Sequence, residues 1–157
     1  MTVPTALTAG RTAAVLSALA LLSAACGGAV RIAPPAPQGD TAAACAALVK
    51  RLPGTLDGAE RVPSEPASPY VAVWGAGEIA LRCGVPRPAA MDPMQQVPEI
   101  DGVPWFADPA RPALFTAVNP RGYVEVTISR AHDPSGVLID LAPAIKAAFP
   151  PAETPSG

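Results

Sequence analysis

Residues 114–129 read Leu-Phe-Thr-Ala-Val-Asn-Pro-Arg-Gly-Tyr-Val-Glu-Val-Thr-Ile-Ser, two apolar-rich arms around a Pro-Arg-Gly centre. In the second arm Val124, Val126 and Ile128 alternate with Tyr123, Glu125, Thr127 and Ser129. A period of two puts the first set on one side of a strand and the second set on the other, so the sheet has one dry face. Pro and Gly in Asn119-Pro120-Arg121-Gly122 suit a tight turn. The stretch therefore predicts a hairpin of strands 114–118 and 123–129.

Upstream, Tyr70–Trp74 and Ile79–Cys83 flank Gly75-Ala76-Gly77 and predict a second hairpin. Ile79, Leu81 and Cys83 share one face of their strand, which leaves Ala80 and Arg82 on the other. Arg82 is expected either to pair with Glu125 across the sheet or to meet an anionic ligand. Residues 53–69 and 84–101 are polar and rich in proline and read as loops. Val103–Phe106 reads as a short edge strand, because Pro104 lacks the N–H of a central strand.

Helical spacing brackets these strands. Asp40 offers an N-cap for a helix through Leu52, in which Cys45, Leu48, Val49 and Leu52 fall on one face before Pro53-Gly54. Asp133-Pro134 opens a second helix with a stripe of Val137, Leu138, Leu141, Ile145, Ala148 and Phe149. Pro143 within it predicts a kink or an early break. The expected fold is α+β: a small two-layer domain over residues 40–150, with an antiparallel sheet of about four to five strands packed against an N-terminal and a C-terminal helix. Cys83 and Cys45 each lie on the apolar face of their element, so a bond between them would sit inside the helix–sheet interface.

The first 25 residues divide like an export signal. Arg11 precedes a charge-free run from Thr12 to Ala25 in which Val15, Leu16, Leu19, Leu21 and Leu22 stand among alanines. The run is shorter than the roughly 18 apolar residues of a spanning helix. It ends Leu22-Ser23-Ala24-Ala25-Cys26, the pattern of a lipoprotein signal cut before a cysteine that then carries lipid. Ser23 and Ala25 also suit an ordinary signal peptidase, which is the alternative. Each buried lipid methylene contributes about 0.8 kcal/mol, so two or three acyl chains hold a domain to the bilayer. The expectation is a protein lipid-anchored to the cell membrane on its extracytoplasmic face. Residues 26–39, with Ala33-Pro34-Pro35-Ala36-Pro37, are expected to be a tether, and residues 151–157 a disordered tail.

Three cysteines are an odd number. With Cys26 acylated, Cys45 and Cys83 remain as a pair, which an oxidising compartment favours as a disulfide. The alternative is two buried free thiols. The formal net charge is −2, with no basic patch, which argues against nucleic acid as a partner.

Trp74-Gly75, Leu81-Arg82-Cys83-Gly84-Val85-Pro86, Cys45 with Leu48, Leu52-Pro53, Val103 with Trp105, and Arg121-Gly122 together carry a resemblance. Over about residues 40–150 the chain resembles the actinobacterial exported proteins grouped as the domain of unknown function 3515 family. Ala76-Gly77-Glu78 stands where that family tends to carry Asp and Pro. The resemblance implies a fold and an exported location, and it implies no activity.

Catalytic signals are absent from the sequence. There is no Gly-x-Ser-x-Gly elbow, phosphate loop, Cys-x-x-Cys or His-Glu-x-x-His. His132 reads as a surface-loop residue. Glu78, Asp92, Asp101 and Asp140 are too scattered to be assigned as a carboxylate pair. One His and two Cys make a poor zinc set, so neither metal nor cofactor is expected. Trp74, Arg82 and Trp105 are the candidate ligand contacts. Against that, only seven aromatic residues are available to fill a core, and two of them are these tryptophans. The expected role is non-catalytic binding or scaffolding in the cell envelope, with an envelope protein or glycan as partner. The alternative is a small-ligand or cell-wall glycan-binding module that uses the polar sheet face and the 84–112 loop.

Overall fold

The two expected hairpins form the centre of one sheet. In the computed structural model, which describes residues 28–150, β5 (Val71–Trp74) pairs with β6 (Ile79–Val85), and β9 (Leu114–Asn119) pairs with β10 (Gly122–Ile128). β6 and β10 join the hairpins, with Leu81 opposite Val126 and Arg82 opposite Glu125. The preceding elements are β1 (Val30–Arg31), α1 (Gly39–Arg51), β2 (Thr55–Leu56), β3 (Ala59–Val62) and β4 (Ser64–Glu65). β7 (Glu99–Ile100) and β8 (Val103–Ala107) lie between the hairpins, and α2 (Pro134–Ala148) follows.

The sheet has eight strands in the order β2-β3-β5-β6-β10-β9-β8-β7, not the expected four to five, and every pairing in it is antiparallel. The additional strands come from two Asp-Gly turns. Asp57 and Gly58 have φ of 46° and 79°, and Asp101 and Gly102 have 47° and 76°. Positive φ at both central residues is the geometry that matches a two-residue turn to the twist of its strands. One turn adds the β2–β3 ribbon at one edge; the other adds β7 outside β8, the strand expected at Val103–Phe106, which is therefore one place in from the opposite edge.

Helix arrangement also differs from the expectation of one helix at either end of the chain packed on the sheet. α1 and α2 touch each other more extensively than either touches any single strand; α1 reaches β6, and α2 reaches β7 and β8. Leu48 and Val49 of α1 join Leu138, Leu141, Ala142 and Ile145 of α2 in one cluster with Leu81, Val124 and Val126 of the sheet. The helix pair thus covers the face that the valine alternation marks as dry.

At the helix ends, α1 begins with Gln38 at its cap, so Asp40 falls in the first turn, where its charge favours the helix dipole. Asp133 caps α2 as expected, accepting from the Ser135 and Gly136 amides at 3.3 and 3.1 Å. α2 runs unbroken through Pro143 to Ala148. Pro143 and Ile139, whose carbonyl loses its helical partner, both lie on the exposed side, where water can reach them.

The second sheet face is not bare. Residues 30–37, expected to stand clear as a tether, are strapped across it. β1 pairs in parallel with β4, and the Val30 and Ile32 amides donate to the Pro63 and Glu65 carbonyls, both at 3.0 Å. Prolines limit the conformational freedom that ordering this segment removes, so a few tertiary hydrogen bonds suffice to fix it. Gly84, at φ +88°, gives the strap room: a Cβ there would lie 2.5 Å from Cβ of Pro37. The signal segment, Cys26 and the 151–157 tail lie outside the described residues.

Candidate functional site

Arg82 and Glu125 occupy directly opposed positions on β6 and β10, and their side chains meet as the sequence anticipates, Nη1 to Oε1 at 2.9 Å. The Arg82 Nε donates to the carbonyl of Ala33 at 3.0 Å, which ties the strap to the sheet. Next to Glu125 across the β9–β10 ladder lies Thr116, 2% exposed. These three residues form the sheet side of a cavity of about 200 Å³. Pro86, Arg87 and Pro88 build its wall, and Arg111 closes the remaining side.

Both loops are internally braced. Arg87 donates from Nη2 to the Met91 carbonyl at 3.0 Å, and Met91 is itself buried. Asp108 accepts from the Ala110 and Arg111 amides at 2.9 and 3.1 Å, and from Nε and Nη2 of Arg111 at 3.0 and 2.7 Å. The Arg111 guanidinium holds the Asp108 carboxyl below the usual carboxylate range. Three arginines therefore line one small cavity, and the single carboxylate-bearing residue in its lining, Glu125, is already engaged by Arg82.

Of the three candidate ligand contacts, only Arg82 belongs to this cavity. Trp74 and Trp105 are corrected from candidate contacts to core residues: they are 0% and 1% exposed, on the helix-covered face of the sheet. Trp74 donates from Nε1 to the Pro53 carbonyl at 3.1 Å and carries the Arg61 guanidinium 5.9 Å above its ring. Trp105 Nε1 is buried with no partner among the described residues. Neither ring presents a face on which a sugar could stack.

His132 is likewise not a free surface group. Its side chain, 9% exposed, sits between Asp57 of the β2–β3 turn, with Nδ1 to Oδ2 at 2.9 Å, and Glu78 of the β5–β6 turn, with Nε2 to Oε2 at 3.5 Å. The Asp57 hydrogen bond is the main cause that raises its pKa above the ordinary histidine value. The same Asp57 oxygen accepts the Asp133 amide at 3.3 Å, so His132 links two turns to the start of α2. The other acids considered for catalysis are spread over the fold: Asp92 braces a turn through the Met94 amide, Asp101 pairs with Lys146, and Asp140 is on α2. Among the described residues no three His, Cys, Asp or Glu side chains converge on a metal position.

Cys45 and Cys83 are joined as a disulfide, both 0% exposed, with Cα atoms 5.4 Å apart. The bond fastens α1 to β6 within the helix–sheet interface. The cavity residues that sequence reasoning missed, Arg87 and Arg111, are 24 positions apart in two loops, and no local signal joins them.

No curated protein and no solved structure matches the chain. A family profile described as protein of unknown function (DUF3515) matches residues 3–154. The match covers nearly the whole chain, so the protein belongs to the DUF3515 family.

Proposed function

We propose that this protein is a membrane-anchored lipoprotein on the extracytoplasmic side of the cell membrane, and that its globular domain has a non-catalytic binding role in the cell envelope. The observation that carries this reading is the Cys45–Cys83 disulfide. Disulfides persist in oxidising compartments, and this one uses two of three cysteines. The cysteine left over is Cys26, which directly follows Ser23-Ala24-Ala25 and an apolar run, an arrangement that supports lipid attachment. No helix among the described residues is long and apolar enough to cross a membrane.

Intact mass of the native protein purified from membranes tests the reading in one measurement. The expected species lacks residues 1–25, carries acyl chains on Cys26 and is two hydrogens lighter than the dithiol form. An unacylated protein with three thiols open to alkylation would refute it.

The binding role is seated at the Arg82 cavity. A small-ligand module is favoured over a glycan module, because both tryptophans are buried and the cavity is small, with three arginines among otherwise largely apolar lining residues.

A further inference from the structure

We infer that the cavity formed by Arg82, Arg87 and Arg111 binds the oxyanion group, phosphate or carboxylate, of a small ligand. The inference deepens the binding role proposed above and rests on it. Charge supplies the first argument. Three arginines are among the residues that line the cavity, Arg111 with a largely exposed side chain, and the two carboxylates within reach are taken, Glu125 by Arg82 and Asp108 by Arg111. Arg87 has no carboxylate partner among the described residues and spends one donor on a backbone carbonyl.

Donor arithmetic supplies the second. A guanidinium presents five N–H donors in a fixed fork. Arg82 uses Nε and Nη1, Arg87 uses Nη2, and Arg111 uses Nε and Nη2. Each arginine therefore keeps a free nitrogen for a further acceptor, and a planar carboxylate or a phosphate is the group whose geometry such forks match. Because Arg82 and Arg111 are already held by their partners, little side-chain freedom is lost on binding.

Size supplies the third. At about 200 Å³ the cavity is below the range of about 300–1,000 Å³ typical of drug-sized ligand sites. It holds an acidic group and the few atoms next to it, not an extended glycan. Pro86 and Pro88 fix the backbone of the wall, so the space exists before the ligand arrives.

The test is titration calorimetry on the full chain at constant ionic strength, with chloride as the balancing ion. The three probes are inorganic phosphate, acetate and glycerol 1-phosphate, the last being the soluble piece of an anionic lipid headgroup. One-site saturable binding of at least one probe, with a Kd of about 1 mM or tighter, is expected. Arg87→Gln and Arg111→Gln are each expected to weaken it about tenfold, the scale of one hydrogen bond to a charged group. If either variant melts well below the wild type, Arg87→Lys is read in its place; it keeps the charge, loses the fork, and is expected to bind more weakly than wild type. Tighter binding of glycerol 1-phosphate than of phosphate identifies a headgroup-like source, and the reverse order identifies the free ion. No binding of any probe beyond chloride, or binding that the variants leave unchanged, overturns the inference. The intact-mass experiment keeps the two readings separable: an acylated protein that binds no anion refutes this inference alone, and an unacylated one that binds phosphate refutes the membrane reading alone.

Discussion

Replacing both Cys45 and Cys83 by alanine is expected to destabilise the domain by about 4 kcal/mol. The sulfurs are 38 residues apart in sequence. Opening that loop returns about 13 cal/mol/K of entropy to the unfolded chain, which is about 4 kcal/mol at 25 °C. Unfolding entropy for a domain of this length is about 0.26 kcal/mol/K, so the midpoint falls by about 15 °C. The single variants make the test sharp. Cys45→Ala and Cys83→Ala each open the same loop, so each is expected to cost nearly as much as the double change, and the three costs are far from additive. Lost packing of one buried sulfur contributes only on the order of 1 kcal/mol. Urea unfolding of the four proteins without reductant measures all of this. The denaturant slope is expected to rise in the variants, because the unlinked unfolded chain exposes more surface. A double variant within about 1 kcal/mol of wild type, or single costs that sum to the double cost, would refute the loop argument.

Two further perturbations probe the strap and His132. Gly84→Ala places a Cβ on Pro37 at a backbone φ of +88°, so the strap must shift; a loss of about 2 kcal/mol is expected, together with faster tryptic cleavage after Arg31. Unchanged cleavage and stability would mean that the strap is not held at Gly84. For His132 the folded pKa lies above the ordinary value of about 6.5, so its protonated form is the one the fold favours. The stabilisation is then complete below about pH 6.5 and is lost as pH rises through the raised folded value. The stability gap between wild type and His132→Gln, followed by urea unfolding from pH 5.5 to pH 8.5, is expected to narrow with rising pH. A gap that stays constant or widens would exclude the Asp57–His132 pair as its source.

What the sequence reveals of this fold follows the range of each physical signal. Alternation over six or seven residues locates β6 and β10, and their opposed registers bring Arg82 to Glu125. Helical spacing finds α1 and α2 and puts Cys45 on an apolar face, strand alternation does the same for Cys83, and together they make the bond legible. The edge ribbons are a different case. β2 and β7 are two residues each, too short for any periodicity, yet Leu56-Asp57-Gly58-Ala59 and Ile100-Asp101-Gly102-Val103 both spell out the strongest short hairpin signal. The surrounding prolines mask that signal, because they give residues 53–69 and 84–101 the composition of loops. The strap is not legible at all, and of the cavity the sequence offers Arg82, the polar sheet face and the 84–112 loop but not the convergence of Arg87 and Arg111. Proline content describes how residues 33–37 behave alone, whereas the Ala33 carbonyl is held by an arginine 49 positions away. Arg87 follows β6 and Arg111 lies between β8 and β9, and they converge only because both loops fold over the face that carries Arg82, Thr116 and Glu125.

Arg82 is where these separate features become one. A guanidinium is planar and rigid, so fixing two of its nitrogens fixes the third. The Ala33 carbonyl holds Nε and Glu125 holds Nη1, which sets the direction of the remaining Nη2. A ligand that binds Nη2 therefore does not compete with the strap; both favour the same orientation of the same group. Two ligands of one rigid group that favour the same orientation are positively coupled. Ala33 is also only seven residues after Cys26, a reach of at most about 25 Å even fully extended. If Cys26 is acylated, the strapped sheet face stays within that distance of the bilayer. On the proposed reading a ligand arriving from solution and one presented at the membrane surface would then meet the same cavity, and strap docking would tighten the binding of either.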